Sequence, residues 1–586
     1  MATATATAKK PGWRSLLRSL RNPKSGFMAL FGFASGLPFA LFLGTLYAWF
    51  TEAEVDLETM GVFSLIGLAY SFQFLWSPLV DKVDIPVLRR LGKRKQWIAP
   101  AQLLLGIILV TMSLLDPRSS LGLFSLLAGV GAFTSATQDI AINAWRIDIA
   151  DDEATIDILS TVYQMGFRLS SLVGGALGLI IAARIGWPQT YVLLGLLLLA
   201  IGVAGLFAPD PEKTGAIIAT GEEIERLYQP GELLPEVRTR GLLAVGLLWA
   251  LAVGTVLVFM IRSMTALPED RPNPTEFTAT YGPLIIIATI VLPAFIAAWL
   301  VKLRREGRHV IPTEGASEAR ASQVTDHFYR ALVLPLVEFV GRMGWSLVLV
   351  LALVLTYRIC DSIWGTFAYP FYLGELKYSN DEVAFASKFF GIGAIILGLA
   401  LGGWMIVVLG RMLTLTLGAV LSAATNLLYA DLAVGGATMA TVSNAIGFTW
   451  AVEQFGGSDR LARLMITIGG ENLAIGIAGA AYIAWLSSIV AKGYSAVQYA
   501  LLASLTLLVG TLGRGALGAM IEERGYYFVF VFTALIGLIA VVLCVLEWIR
   551  EVRAGRASGV VAPERPGAVA PVPAGDAARA ADGDPA

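Results

Sequence analysis

The chain has 586 residues, of which 56% are hydrophobic and only 15% charged, and its formal net charge is −1. Soluble domains carry about 25% charged residues, so most of a solvated surface is missing, and the near-neutral balance argues against a nucleic-acid partner. Two histidines (His309, His327) and two cysteines (Cys360, Cys544) leave a zinc site, a Ser-His-Asp triad or a disulfide framework almost nothing to work with.

A membrane-spanning helix takes about 20 mostly apolar residues. In chain order the candidates are roughly 27–50, 60–80, 98–115, 121–143, 159–183 and 189–208, then 241–261 and 281–301. The last group is 345–371, 383–406, 412–430, 465–489, 498–520 and 527–548. That makes fourteen. Residues 434–452 are apolar enough for a short span, but are read as an insert or re-entrant helix on the outer side. The basic N-terminus runs into a long apolar stretch without an evident cleavage site, so it reads as a retained first span rather than a signal peptide. With that N-terminus placed inside, inner segments hold 30 Lys and Arg residues against 9 in outer segments. The positive-inside rule then puts both termini in the cytoplasm.

Three further pieces are polar. Residues 1–25 carry six basic side chains that suit an anionic inner leaflet. The loop 302–330 leads into 331–344, whose mixed pattern predicts an interfacial helix. The tail from about 551 is rich in Ala, Pro and Gly without aromatics, the composition of a disordered segment. The chain therefore reads as an all-α membrane protein: a six-helix bundle (26–208), a loop with two additional helices (209–330), then the interfacial helix and a second six-helix bundle (331–550).

The loop SPLVDKVDIPVLRRLGKRK resembles the loop between helices 2 and 3 of the major facilitator superfamily, with a weaker echo at 401–411. Longer strings are more specific: GFASGLPFALFLGTLYAWF (32–50), AYSFQFLWSPLVDK (69–82), SATQDIAINAWRID (135–148), YQMGFRLSSLVGG (163–175), YRICDSIWGTF (357–367), GGENLAIGIAG (469–479) and YSAVQYALLASL (494–505). They resemble the AmpG muropeptide permeases. The resemblance implies a multi-pass protein of the bacterial inner membrane that imports GlcNAc-1,6-anhydro-MurNAc and its peptides on the proton gradient, for peptidoglycan recycling and β-lactamase induction. It departs from the family pattern at Gln73, where a lysine is expected, and at Asn143, where some members carry an aspartate.

Ionisable side chains inside a span cost a few kcal/mol and usually face a polar cavity or a partner. Ser135, Asp139 and Asn143 share a helix face at i, i+4, i+8, with Arg146 continuing the stripe. Gln138, Asp139 and Asn143 are candidates for binding sugar or peptide, and Asp139 for carrying a proton; the bland reading is a structural pair. Arg168 suits a muropeptide carboxylate, or a salt bridge to another helix. Arg358 and Asp361, at i, i+3, form either a static couple or a proton-switched pair. Glu471 is the other proton-coupling candidate, with Asn472 beside it as a reader of hydroxyls. Asp81 with Arg89, Arg90 and Arg94 reads as a gating latch, or simply as inner-face positive charge. Tyr70 and Trp364 are candidates for stacking on sugar rings; the other span aromatics read as interface anchors.

No GxxxxGK[ST] loop is present, which leaves gradient-driven transport without a cofactor. The expected partners are substrate, protons and the bilayer, with the chain as a monomer. The alternative is another facilitator carrier, for acetyl-CoA, a sugar or a drug; the acetyl-CoA transporters share the string Trp76-Ser77-Pro78. A polytopic membrane enzyme would need clustered acidic or histidine residues, and the run Asp148, Asp151, Asp152, Glu153, Asp157 is the only such cluster.

Overall fold

The structure is a computed structural model. It describes residues 19–54, 70, 72–209, 227, 229–265, 270, 272, 274–312, 323–362, 367–368, 370–512 and 514–557. Expectations for residues 1–18, for most of 60–80, for Trp364 and for the tail beyond 557 lie outside the described residues.

Long apolar segments build helices because a backbone in hydrocarbon must satisfy its own hydrogen bonds. The first half contains α1 (Pro23–Ala40, continuing through a π-turn at Leu41–Thr45 into Leu46–Glu52), α2 (Ser77–Lys82), α3 (Lys95–Ser113), α4 (Leu121–Ile149), α5 (Ile156–Ile185) and α6 (Trp187–Gly205). The inserted pair is α7 (Pro235–Thr265) and α8 (Pro274–Ile286, continuing to Leu292–Arg305). After the amphipathic α9 (Leu334–Met343) come α10 (Ser346–Thr356), α11 (Asp381–Leu409) and α12 (Arg411–Ala433). The chain ends with the short α13 (Ala437–Ala445) and α14 (Phe448–Gln454), then α15 (Asp459–Ser488), α16 (Ser495–Leu512) and α17 (Arg514–Ala557).

Among the described residues, nine helices are long and apolar enough to cross a membrane, or ten if the bent pair Thr325–Met343 and Ser346–Thr356 is one span. Helices α1, α4 and α16 occupy three more of the expected spans. Residues 434–452 are not a span: they fold into α13 and α14, each too short to cross, with Asp431 accepting from the N–H groups of Thr438 and Met439 at 3.2 and 2.9 Å. The segment expected as an interfacial helix, 331–344, contains α9. Gly344 (φ 54°) turns the chain through 107° between α9 and α10, and Trp345 at the corner is 93% exposed. Expected spans 498–520 and 527–548 meet at Gly525 (φ 76°), a left-handed break inside α17. The helix runs on through residues 551–557, where the tail composition had predicted disorder.

The two halves repeat one packing scheme. In each, the third helix lies along the sixth, α3 on α6 and α12 on α17. Close approach depends on glycine. A Cβ on Gly166 of α5 would press into the Ala29 carbonyl of α1, and one on Gly476 of α15 into the Ile395 carbonyl of α11. Between the halves, α5 packs on α11 and α15, while α4 and α2 pack on α16.

The insert spans the line where the halves meet. Its buried Trp249, Val256 and Leu300 share a cluster with Phe72 and Phe74 ahead of α2 and with Val497, Ala500 and Leu501 of α16. Its outer surface is apolar and open, with Leu243, Leu247, Leu251, Phe295 and Trp299 all 46–69% exposed. Such a continuous face belongs against lipid tails.

Candidate functional site

Helix α4 carries the central stripe. Its Asp139 is half-buried, and its Oδ1 accepts hydrogen bonds from Ser35 of α1 at 2.6 Å and Tyr163 of α5 at 2.7 Å. The two hydroxyls lie 3.1 Å apart. Ser135, one turn earlier, accepts from the Tyr70 hydroxyl at 2.8 Å, and Tyr70 sits edge-on to Phe39. Asn143 donates to the Asp139 carbonyl at 2.8 Å, but its Oδ1 meets no partner. Gln138, fully buried, has neither amide oxygen nor nitrogen matched, and Gln73 Oε1 is likewise unmatched. Buried polar groups are rarely left so; a run of them beside Asp139 is a place where a polar ligand has bonds to gain.

The fourth helix of the second half, α15, carries the matching carboxylate. Glu471 accepts a short hydrogen bond from Tyr429 of α12, and Tyr429 in turn accepts from Tyr372 at 3.0 Å. Asn472 donates to the Ile468 carbonyl at 2.8 Å. Arg358 lies over the bare face of Gly479, where a Cβ would come within 3.7 Å of Nη1. The Asp361 side chain and Trp364 lie outside the described residues. Arg168 is half-buried at the end of the α-helical part of α5.

Toward the end that carries the basic loops and both described chain ends, the halves close on a charged cluster. Arg94, with no exposed surface, donates to Asp81 at 2.7 Å, to Asp148 at 2.7 Å, to the Val80 carbonyl at 3.0 Å and to Ser495 at 2.8 Å. Asp81 Oδ2 accepts from the N–H of Val497 at 3.0 Å. A carboxylate of the first half thus caps the N-terminus of α16 in the second, where the helix dipole favours negative charge. Ser495 bridges back to Asp148 at 2.9 Å. A second crossing joins Arg411 to Asp157 at 2.8 and 3.1 Å. Burial pulls the neighbouring Lys93 ammonium down from its ordinary pKa. Burial alone would raise Asp151, but the Lys24 ammonium and the Ala154 N–H hold its carboxyl below the usual range.

Of the four residues named for a latch, the structure pairs Asp81 with Arg94. Arg89 and Arg90 are exposed and lie outside the cluster, which Arg94 builds instead. Three of the five acids in the run 148–157 form ion pairs, Asp148 with Arg94, Asp151 with Lys24 and Asp157 with Arg411. Tyr163, Ser35 and Tyr429 were not singled out, because each reaches its carboxylate from another helix, and Tyr372 joins through Tyr429. Among the described residues no group of three or more His, Cys, Asp or Glu could hold a metal ion.

Residues 25–268 match the family model of the Major Facilitator Superfamily. The anhydromuropeptide permease of Escherichia coli strain K12 is 27% identical over 546 residues, covering 91% of this chain and 82% of that one. A putative transporter AmpG 4 of Rickettsia felis is 24% identical, covering 87% and 92%. Among solved structures, the proton:xylose symporter XylE is similar with a TM-score of 0.49 and 11% identity over 89% of this chain and 94% of that one. The relatives matched along most of the chain are a permease and a transporter by name.

Proposed function

We propose that this chain, a carrier with the major facilitator fold that resembles the AmpG permeases along nine-tenths of its length, imports anhydromuropeptides with protons. The direction is from periplasm to cytoplasm across the bacterial inner membrane, with both termini and the basic loops in the cytoplasm. One observation carries the reading: each half places one carboxylate on its fourth helix, Asp139 and Glu471, held by a tyrosine hydroxyl from a neighbouring helix. A carboxylate that can take a proton within the membrane, beside unmatched amides on the same helix, suits coupled uptake of a polar ligand.

The chain alternates between openings by parting and closing its halves. In the state described here the cytoplasmic end is shut by Arg94, Asp81 and Asp148, and by Arg411 on Asp157. Cargo and proton arrive from the opposite side. Gln138, Asp139 and Asn143 take the sugar or peptide, with Arg168, Tyr70, Trp364 and Asn472 as further contacts. Asp139, Glu471, Asp361 and Arg358 handle the proton.

Labelled disaccharide-peptide uptake into vesicles, with and without a proton ionophore, tests both parts. Uptake that collapses with the ionophore is the expected result. Absence of uptake by well-inserted protein rejects the substrate, and ionophore-insensitive uptake rejects the coupling.

A further inference from the structure

Where the halves meet, every arginine described in ion pairs has its own carboxylate. Arg94 holds Asp81 and Asp148, each at 2.7 Å, and Arg411 holds Asp157 at 2.8 Å. Arg146 is the exception. It has no exposed surface, no carboxylate among the described residues pairs with it, and its Nε and Nη1 meet no acceptor. The nearest part of the α4 stripe, Asn143, adds an unmatched Oδ1 but no charge. Asp139 has its Oδ1 occupied by the hydroxyls of Ser35 and Tyr163, and the Tyr163 ring lies against the Arg146 guanidinium.

What does hold Arg146 comes from both halves. Its guanidinium lies 4.8 Å from the ring centre of Tyr163 on α5 and 5.0 Å from that of Tyr499 on α16, and Nη2 donates to Ser487 of α15 at 3.0 Å. Taking an ion out of water is costly, and two ring faces with one hydroxyl bond offset only part of that cost. The position is held, but it is far from the balance that a carboxylate fork gives.

We propose that Arg146 is the anion-binding residue of the passage, and that a carboxylate of the cargo replaces Tyr499 and Ser487 as its partner when the halves part. The inference rests on the muropeptide reading and names which group of the cargo is recognised. Tyr499 and Ser487 belong to the second half and leave with it, whereas Arg146 stays on α4, in the same stripe as Asp139. Cargo carrying a negative charge then offsets the loss of the two closed-state contacts, and neutral cargo of the same size does not. Selectivity for acidic cargo and opening toward the basic end become one event at one side chain.

The test uses the full chain in proteoliposomes. Uptake of a labelled anhydromuropeptide with free peptide carboxylates is compared with uptake of its fully amidated counterpart, in wild type, Arg146→Lys and Arg146→Gln. One charged hydrogen-bonded contact corresponds to roughly 10-fold or more in KM, so wild type should prefer the free acid by about that factor. Arg146→Gln should raise KM for the acid to that of the amide, so that the preference between the two ligands disappears. Arg146→Lys, which keeps the charge without the fork, should fall between and keeps the proposal falsifiable if the Gln variant does not fold. Undiminished preference for the acid in either variant, or equal loss for both ligands, overturns the proposal. Uptake of neither ligand by wild type rejects the muropeptide reading itself, a result separate from the other two.

Discussion

Asp139 concentrates the physics of single residues in this chain. A carboxylate in a span survives only with partners, and here the partners are two hydroxyls, from Ser35 and Tyr163, at 2.6 and 2.7 Å. Replacing it leaves those hydroxyls only each other as partners, 3.1 Å apart, at a cost of roughly 1–3 kcal/mol, which is smaller than the ~5–15 kcal/mol that holds a typical protein folded. Asp139→Ala should therefore abolish uptake while membrane insertion stays normal; uptake and the amount of inserted protein are measured together, and retained uptake would make Asp139 a structural residue. The stripe on α4 was legible in the sequence because i, i+4 spacing is a local property. Its hydroxyl partners were not, since Ser35 and Tyr163 stand 104 and 24 positions away and only packing of α1 and α5 against α4 brings them there. Asp148 illustrates the opposite error. In the sequence it belongs to an acidic run, and in space it belongs to Arg94.

At the scale of helices, the glycines separate into those that set a distance and those that do not. Gly36 and Gly166 sit where α1 and α5 touch, and added side chains there would meet backbone; Gly174 faces Leu37 and Ala40. Gly175, in the same helix, has nothing within 4 Å of a would-be Cβ. Gly166→Leu should cost at least the roughly 1–3 kcal/mol typical of overpacking, lowering the melting temperature and uptake together. Gly175→Ala should change neither. Melting of the purified protein with uptake beside it decides the matter, and equal behaviour of the two variants would refute the packing argument. Sequence composition marked both glycines alike, since nothing local distinguishes a glycine that faces a backbone from one that faces space. Residues 434–452 were ambiguous for a related reason: their apolarity fits a short span, but glycines 435, 436 and 447, all at positive φ, break the segment into two short helices.

At the scale of the whole molecule, the state described is one of closure at the basic end. Helix α5 meets α11 where a Cβ on Gly403 would come 2.7 Å from Thr161 Cγ2. A Thr161→Cys, Gly403→Cys pair should therefore form a disulfide on oxidation, while the native Cys360 and Cys544 stay buried and free. If transport requires the halves to part there, the oxidised protein takes up nothing and a reductant restores it. Full uptake with the bond formed would place the moving boundary elsewhere. The insert joins this boundary through the cluster shared by Trp249, Phe74 and Val497, which gives the two additional helices a place in the closed state.

The order of the apolar segments, the charge of the loops between them and the amphipathic pattern ahead of α10 are properties of the sequence alone. Each follows from hydropathy, charge or periodicity summed over neighbours along the chain, and a bilayer reads those same sums. Which carboxylate meets which tyrosine, which arginine of the basic loop crosses to the other half, and that no carboxylate among the described residues pairs with Arg146 were decided only by tertiary structure. Those facts depend on side chains brought together from separate helices, and a charge in a low-dielectric interior is stabilised or not by what lies within a few ångströms of it, whatever its distance in sequence.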